Sequence, residues 1–315
     1  MKSFRLVAAA VFLLLPALLV SAGGSEEEEA ELKGPVTVAS KIDTEGALLG
    51  NMIVELLEAD GFEVENSTEF GPTDVIRKAI INDEIDIYPE YTGNGAFFYP
   101  DAAEDEVWKD SEAGYETIRD LDREEHGIVW LTPASANNTW AIAIRQDLAE
   151  AEGLETLDDL ADYLEDGGEF KLAASEEFVT RPDSLPAFQE AYGFELTEDQ
   201  LLTFSGGNTA TTEQAAARGT DGVNAAMAYG TDGNLDALDL VVLEDSRNVQ
   251  PFYRPAPIVR EEVLDEYSEI ASLLEPVFEN LDLETLQTLN ARIAVEGRDA
   301  ASVAEEYLRE QGFLE

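Results

Sequence analysis

The sequence predicts an α/β protein of two lobes, joined by two crossings and enclosing a cleft between them. Three observations carry this reading. Short apolar runs at Pro35–Ser40, Phe62–Val64 and Ile85–Ile87 alternate with amphipathic segments, in the order strand, helix, strand, helix, strand. That order is the pattern of a parallel, doubly wound sheet. A second set of strands and helices begins at Trp140, after the turn-forming Pro133–Thr139 stretch, and the Pro-punctuated segment Gln250–Val259 leads back. At 315 residues the chain suits two domains of ordinary size.

Residues 1–22 read as a cleavable export signal, with Lys2 and Arg5 ahead of the apolar run Leu6–Val20 and small residues at Ser21–Ala22. A periplasmic or other extracytoplasmic location follows. The chain has no cysteine, so neither a lipid anchor on that residue nor a disulfide is expected. Residues 23–34, with the run Glu26–Glu29, read as a flexible acidic leader. After the first strand, Leu48, Leu49, Met52, Ile53, Leu56 and Leu57 recur at helical spacing up to Asp60–Gly61. Pro72–Ile81 is a helix with proline in its first turn. Pro89 is expected to end the third strand by removing a ladder donor. A polar helix over 103–125 and a strand at Gly127–Leu131 complete the outward half.

In the second half, Trp140–Arg145 alternates as a strand, and Thr156 caps a helix over Leu157–Leu164. Further strands are expected at Phe170–Ala174, Val223–Met227 and Leu240–Leu243, and helices at Pro182–Tyr192 and Thr211–Arg218. Three helices near 261–281, 282–295 and 299–312 close the chain. Residues 35–137 with 254–315 then form the first lobe, and 138–253 the second.

Charge narrows the function. Aspartate and glutamate number 68 against 19 lysines and arginines, a formal net charge of −49. Nucleic acid and anionic membrane surfaces would repel such a chain. The acids are spread over every expected helix face and interleaved with regular apolar periodicity, which fits a folded protein adapted to strong brine.

The parts of an enzyme are missing. One histidine, His126, and no cysteine exclude soft-metal sites and Cys–His nucleophile pairs. No Gly-x-Ser-x-Gly elbow or Walker-type loop occurs, and Gly206–Gly207 lacks the lysine of a phosphate cradle. Asp86 and Glu90 could form an acid–base pair. In a chain this acidic, chance and strand-end placement explain them better.

The aromatics stand out instead. Tyr91 follows the third strand, Trp140 begins the strand after the first crossing, Tyr229 ends a strand of the second lobe, and Tyr253 sits on the return crossing. Each alone is more often a packing residue than a ligand contact. Four at cleft-facing ends suit a quaternary ammonium guest, which has no N–H to donate and whose diffuse charge is drawn to π-faces.

With these residues in view, the chain resembles the glycine betaine/choline/carnitine-binding proteins of osmoprotectant ABC transporters, over essentially all of it from Val36 onward. The anchors are Ala39–Ser40–Lys41, Ile85–Gly93, Trp140–Arg145, Thr180–Asp183, Ala228–Asp232 and Pro251–Tyr253. The branch typified by a low-affinity, stress-induced betaine importer is most similar, through Phe252–Arg260. The resemblance implies a type II-like periplasmic binding-protein fold, and a box of Tyr91, Trp140, Tyr229 and Tyr253 around the trimethylammonium group. It implies that Lys41 and Arg181 hold the ligand carboxylate with help at Asn94. Trp140 stands where well-studied relatives have Tyr, Asn138 where they often have Asp, and Asn94 where they have a hydroxyl. Permease and ATPase subunits are the implied partners of a monomeric, cofactor-free receptor. A choline- or carnitine-selective receptor is the alternative within the class, and an exported hydrolase using Asp86 or Glu90 the alternative outside it.

Overall fold

The computed structural model describes residues 32–205 and 208–315. The expected export signal, most of the expected leader and Gly206–Gly207 lie outside the described residues. The first lobe opens with β1 (Lys33–Lys41), α1 (Thr44–Ala59), β2 (Phe62–Gly71), α2 (Thr73–Ile81) and β3 (Ile87–Tyr91). After a 3-10 turn at Thr92–Asn94 come α3 (Gly95–Phe98), α4 (Asp105–Trp108), α5 (Ser111–His126) and β4 (Ile128–Trp130). The second lobe runs β5 (Trp140–Arg145), α6 (Gln146–Glu152), α7 (Leu157–Glu165), β6 (Leu172–Ser175), α8 (Glu176–Thr180) and α9 (Leu185–Tyr192). It continues with β7 (Leu201–Phe204), α10 (Thr209–Arg218), β8 (Ala225–Tyr229) and β9 (Leu240–Val242). The chain then returns through β10 (Pro255–Arg260) to α11 (Glu261–Glu266), α12 (Glu269–Glu279), α13 (Leu283–Ala294) and α14 (Ala300–Gln311).

Each lobe is built on a five-stranded sheet, in the orders β2-β1-β3-β10-β4 and β7-β6-β8-β5-β9. Both are mixed, not wholly parallel. β1 runs parallel to β2 and β3, whereas β10 is antiparallel to β3 and β4. In the second lobe β5 is antiparallel to β8 and β9. The reason lies in the crossings. β5 and β10 are the strands that enter their sheets straight from the other lobe, so they start at the cleft where β8 and β3 end. The result is a two-lobed α/β fold.

Apolar spacing explains the layers. The face of α1 that carries Leu48, Leu49, Met52, Ile53, Leu56 and Leu57 packs on Val36 and Val38 of β1 and on Leu286, Val303 and Leu308 of the C-terminal helices. Asp43 caps α1 by accepting the Gly46 N–H, and a reciprocal capping box of Thr156 and Asp159 starts α7.

Three expectations about elements are corrected. Lys33 and Gly34 belong to β1 and not to a leader: Lys33 pairs with Phe62 across the sheet, and its Nζ lies 2.6 Å from Asp60 and 3.1 Å from Glu269. Pro89 does not end β3. It faces Pro257 across the antiparallel β3–β10 ladder. Thr92 N–H donates to Arg254 O three residues on, so the alternation makes 89/257 a pair that exchanges no hydrogen bonds, and neither missing donor is needed. β2 extends to Gly71 as a mostly polar edge strand, far past the apolar Phe62–Val64.

The two crossings bond to each other. Asn138 N–H donates to Tyr253 O at 2.8 Å, Tyr253 N–H to Asn137 Oδ1 at 2.8 Å, and Ala134 N–H to Pro255 O at 2.8 Å.

Candidate functional site

The crossing geometry brings four aromatics together. In the first lobe Tyr91 closes β3 opposite Pro255, and Tyr253, on the return crossing, lies two residues before that partner. In the second lobe Trp140 opens β5 directly opposite Tyr229, the last residue of β8. Both lobes thus present the C-terminal end of one strand and the N-terminal end of its antiparallel neighbour to the same place. All four line one cavity of about 30 Å³, together with Lys41, Asp43, Asn94, Asn138, Glu177 and Arg181.

The rings are held from behind. Trp140 packs on Tyr229 with centroids 4.6 Å apart and on Phe178 at 5.2 Å. Tyr253 lies against Gly93, where a Cβ would come within 2.7 Å of the ring. Glycine is therefore required there by close approach, not by backbone conformation. Burial pushes the phenols of Tyr91, Tyr229 and Tyr253 well above their ordinary pKa, reinforced by Glu45, Asp43 and Asp183 respectively. All three are neutral phenols at physiological pH.

Both cations of the cavity already hold carboxylates. Lys41 Nζ lies 2.6 Å from Glu90 Oε1 and 4.8 Å from the centroid of the Tyr91 ring. Arg181 spends Nε and Nη2 on Asp183, both at 2.6 Å, and Nη1 on Glu177 at 3.0 Å, while Nη2 also donates to Tyr253 Oη at 3.1 Å. Its guanidinium stacks 4.5 Å from the Phe97 centroid of the opposite lobe. Burial works against the Arg181 charge, but Tyr253, Asp183 and Glu177 outweigh it and raise the pKa further. The bidentate fork expected to face a ligand is occupied by Asp183; one Nη1 hydrogen and two Lys41 hydrogens are left over.

Asn94 donates Nδ2 to Glu90 Oε1 at 2.6 Å, and its Oδ1 has no partner among the described residues. Asn138 donates Nδ2 to Glu45 Oε1 at 2.7 Å.

Residues 34–310 match the family described as the substrate-binding domain of ABC-type glycine betaine transport systems, OpuAC. The chain belongs to that family. It is similar to the glycine betaine-binding protein YehZ of Escherichia coli K12, at 58% identity over 279 residues covering 89% of this chain and 91% of that protein. A glycine-betaine-binding protein of Pseudomonas aeruginosa is 34% identical over 284 residues, 88% of each chain. The solved structure of apo YehZ from Escherichia coli matches with a TM-score of 0.65 at 58% identity, covering 89% of this chain and 100% of that one.

As a member of the OpuAC family the chain is a solute-binding protein and not an enzyme; it works with a small-molecule ligand and with permease and ATPase subunits. The two carboxylates that tempted a hydrolase reading are structural. Asp86 accepts the Thr37 N–H at 2.8 Å and Arg260 Nη1 at 3.0 Å. Glu90 is fully buried and takes four donors, from Lys41, Tyr91 and Asn94 on Oε1 and from Tyr88 on Oε2, so its charge is spent inside the protein. The Tyr88 hydroxyl serves Glu90 at 2.8 Å, inside the first lobe.

Sequence reasoning brought all eight candidates to this one cavity but missed its acids. Asp43 and Glu177 line it, and Glu45 lies behind Tyr91. Burial raises the Asp43 and Glu45 carboxyls above their usual range. The N-cap pattern of Asp43 before Gly46 was the one available signal, and among 68 acids it was not distinctive.

Proposed function

We propose that this chain is an extracytoplasmic receptor that closes its two lobes over a quaternary ammonium osmolyte, glycine betaine, and presents the closed form to the permease. The observation that carries the reading is the convergence of Tyr91 from the first lobe, Tyr253 from the return crossing, and Trp140 and Tyr229 from the second lobe on a single cavity. Each face is worth about 0.5–2 kcal/mol to a cation, depending on desolvation. A trimethylammonium group asks for no hydrogen bond, so an aromatic lining leaves none of its polarity unsatisfied. The carboxylate of betaine takes the remaining hydrogens of Lys41 and Arg181, which line the same cavity.

The lobes are residues 35–137 with 254–315, to which Lys33 and Gly34 of β1 are added, and 138–253. Strand membership supports this division, since β10 rejoins the first sheet after β5–β9 have built the second. The receptor is a monomer exported by the signal at 1–22 from an organism of saline habitat, where betaine uptake and an acidic surface serve the same need.

One observation favours a second reading. Because Arg181 and Lys41 already carry Asp183, Glu177 and Glu90, a cation without a carboxylate, such as choline, would leave no buried charge unpaired. Calorimetric titration in molar salt with glycine betaine, proline betaine, carnitine and choline separates the two. Tightest binding of betaine is expected; tighter binding of choline would replace this reading with the second, and no heat from any of them would refute both.

A further inference from the structure

Glu45, the second residue of α1, is buried at 4% exposure directly behind Tyr91. Its Oε1 accepts the Tyr91 hydroxyl at 3.0 Å and Asn138 Nδ2 at 2.7 Å; its Oε2 accepts Asn290 Nδ2 at 2.8 Å. These donors are all neutral, and among the described residues no lysine, arginine or histidine forms a salt bridge with Glu45. Its situation differs from that of every other acid around the cavity. Asp183, Glu177 and Glu90 each hold a cation, whereas Asp43 is tempered by the nearby Lys41 charge.

A carboxylate held by neutral donors in a closed interior keeps its charge at a cost that a nearby cation relieves. The available position for such a cation is the aromatic cage itself, which Tyr91 lines and whose Tyr91 hydroxyl Glu45 holds. A phenol that donates to a carboxylate is polarised toward phenolate, which enriches its π-face and strengthens its hold on a cation. The face of Tyr91 already draws Lys41 Nζ to 4.8 Å of its centroid. Asn290 adds a link to the other lobe, since its Nδ2 also donates to Thr231 O at 3.1 Å, two residues beyond Tyr229.

We propose that Glu45 is a positioning and specificity-determining residue, which acts through the Tyr91 hydroxyl to make the cage select a cation over a neutral guest of the same shape. This rests on the cage binding a quaternary ammonium group, as argued above. It extends that reading to a residue that does not line the cavity.

The test uses choline and its uncharged carbon isostere 3,3-dimethylbutan-1-ol, with tetramethylammonium as the bare cation, titrated calorimetrically into the full-length protein and its variants. In Glu45→Gln the amide oxygen can still accept from Tyr91 and Asn138, while the amide nitrogen faces the donor Asn290 Nδ2 and the charge is lost. Its affinity for choline and tetramethylammonium is expected to fall about tenfold, within the range of one desolvated cation–π contact, with the isostere unchanged. Tyr91→Phe removes the hydroxyl through which Glu45 acts, so adding Glu45→Gln to it should cost less than threefold more. Glu45→Asp, which keeps the charge, should retain the choline-to-isostere ratio even where absolute affinity drops, and covers the case in which the glutamine variant folds poorly. An equal loss for choline and isostere in Glu45→Gln would overturn the proposal in favour of a purely structural role. So would an undiminished effect in the Tyr91→Phe background. Failure of the unmodified protein to bind any of the cations would overturn the cage reading itself, and this inference with it.

Discussion

Arg181 and Asp183, two residues apart at the start of the α8–α9 connection, form a closed fork: Nε and Nη2 each lie 2.6 Å from one oxygen of the same carboxylate. The guanidinium is thereby fixed against Tyr253 before any ligand arrives. Removing it leaves Asp183 and Glu177 without their cation. Arg181→Ala should therefore destabilise the protein by about 3 kcal/mol, the usual consequence of breaking one partner out of a buried pair. Urea unfolding measures this, and a loss below about 1 kcal/mol would show that solvent compensates the two acids. In the same variant betaine binding should be lost and choline binding largely kept.

Gly93 sets the position of Tyr253. A methyl group at this site would meet three adjacent carbons of the Tyr253 ring, the nearest at 2.7 Å. Gly93→Ala should weaken betaine binding about tenfold by turning Tyr253 out of the cage, while its melting temperature falls only slightly. Calorimetry beside a thermal melt checks both; unchanged affinity would mean that Tyr253 does not face the guest.

The aromatic half of this site was legible in the sequence because strand ends are. Tyr91 and Tyr229 follow apolar runs, Trp140 opens one, and the two crossings are marked by proline and asparagine. The electrostatic half was not. Whether Arg181 faces a ligand or Asp183 depends on a side-chain choice between two nearby acids, and acids occur beside almost every residue of this chain. Strand direction was equally hidden: the residues of β10 suit either orientation, and only its arrival from the other lobe makes it antiparallel. β7 was missed because Leu201–Phe204 is too short and too evenly apolar to show alternation. α8 was missed because it is a single turn and a half, begun by the Ser175 cap on Phe178 N–H.

Glu213 of α10 and Asp232 beyond β8 form a buried carboxyl pair beneath Tyr229, whose N–H donates to Asp232 Oδ2 at 2.6 Å. Burial pushes both carboxyls well above their usual range, and the mutual repulsion of two charges adds to it for Glu213. The folded state therefore holds more protons here than the unfolded chain does once pH exceeds about 4. Stability from this pair is full below that pH and declines as pH rises toward the folded values. Glu213→Gln, which cannot ionise, should melt higher than the parent at pH 8 and show a flatter profile between pH 5 and 8. Parallel slopes in the two proteins would rule out the pair as the source.

A net charge of −49 on a chain of this size opposes its own compaction. At molar salt the Debye length falls to about 3 Å, and most of that repulsion is screened. The melting temperature should rise steeply between dilute buffer and 2 M salt, well beyond the shift seen with a near-neutral protein. A flat response in thermal melts would remove the case for haloadaptation.

The central claim, that four aromatics from two lobes enclose a quaternary ammonium group, is tested most directly by a crystal structure of the protein with glycine betaine. The expected result places the quaternary nitrogen within about 6 Å of the ring centroids of Tyr91, Trp140, Tyr229 and Tyr253, with the carboxylate turned toward Lys41 and Arg181. Betaine bound outside this cavity, or with its carboxylate against the rings, would contradict it.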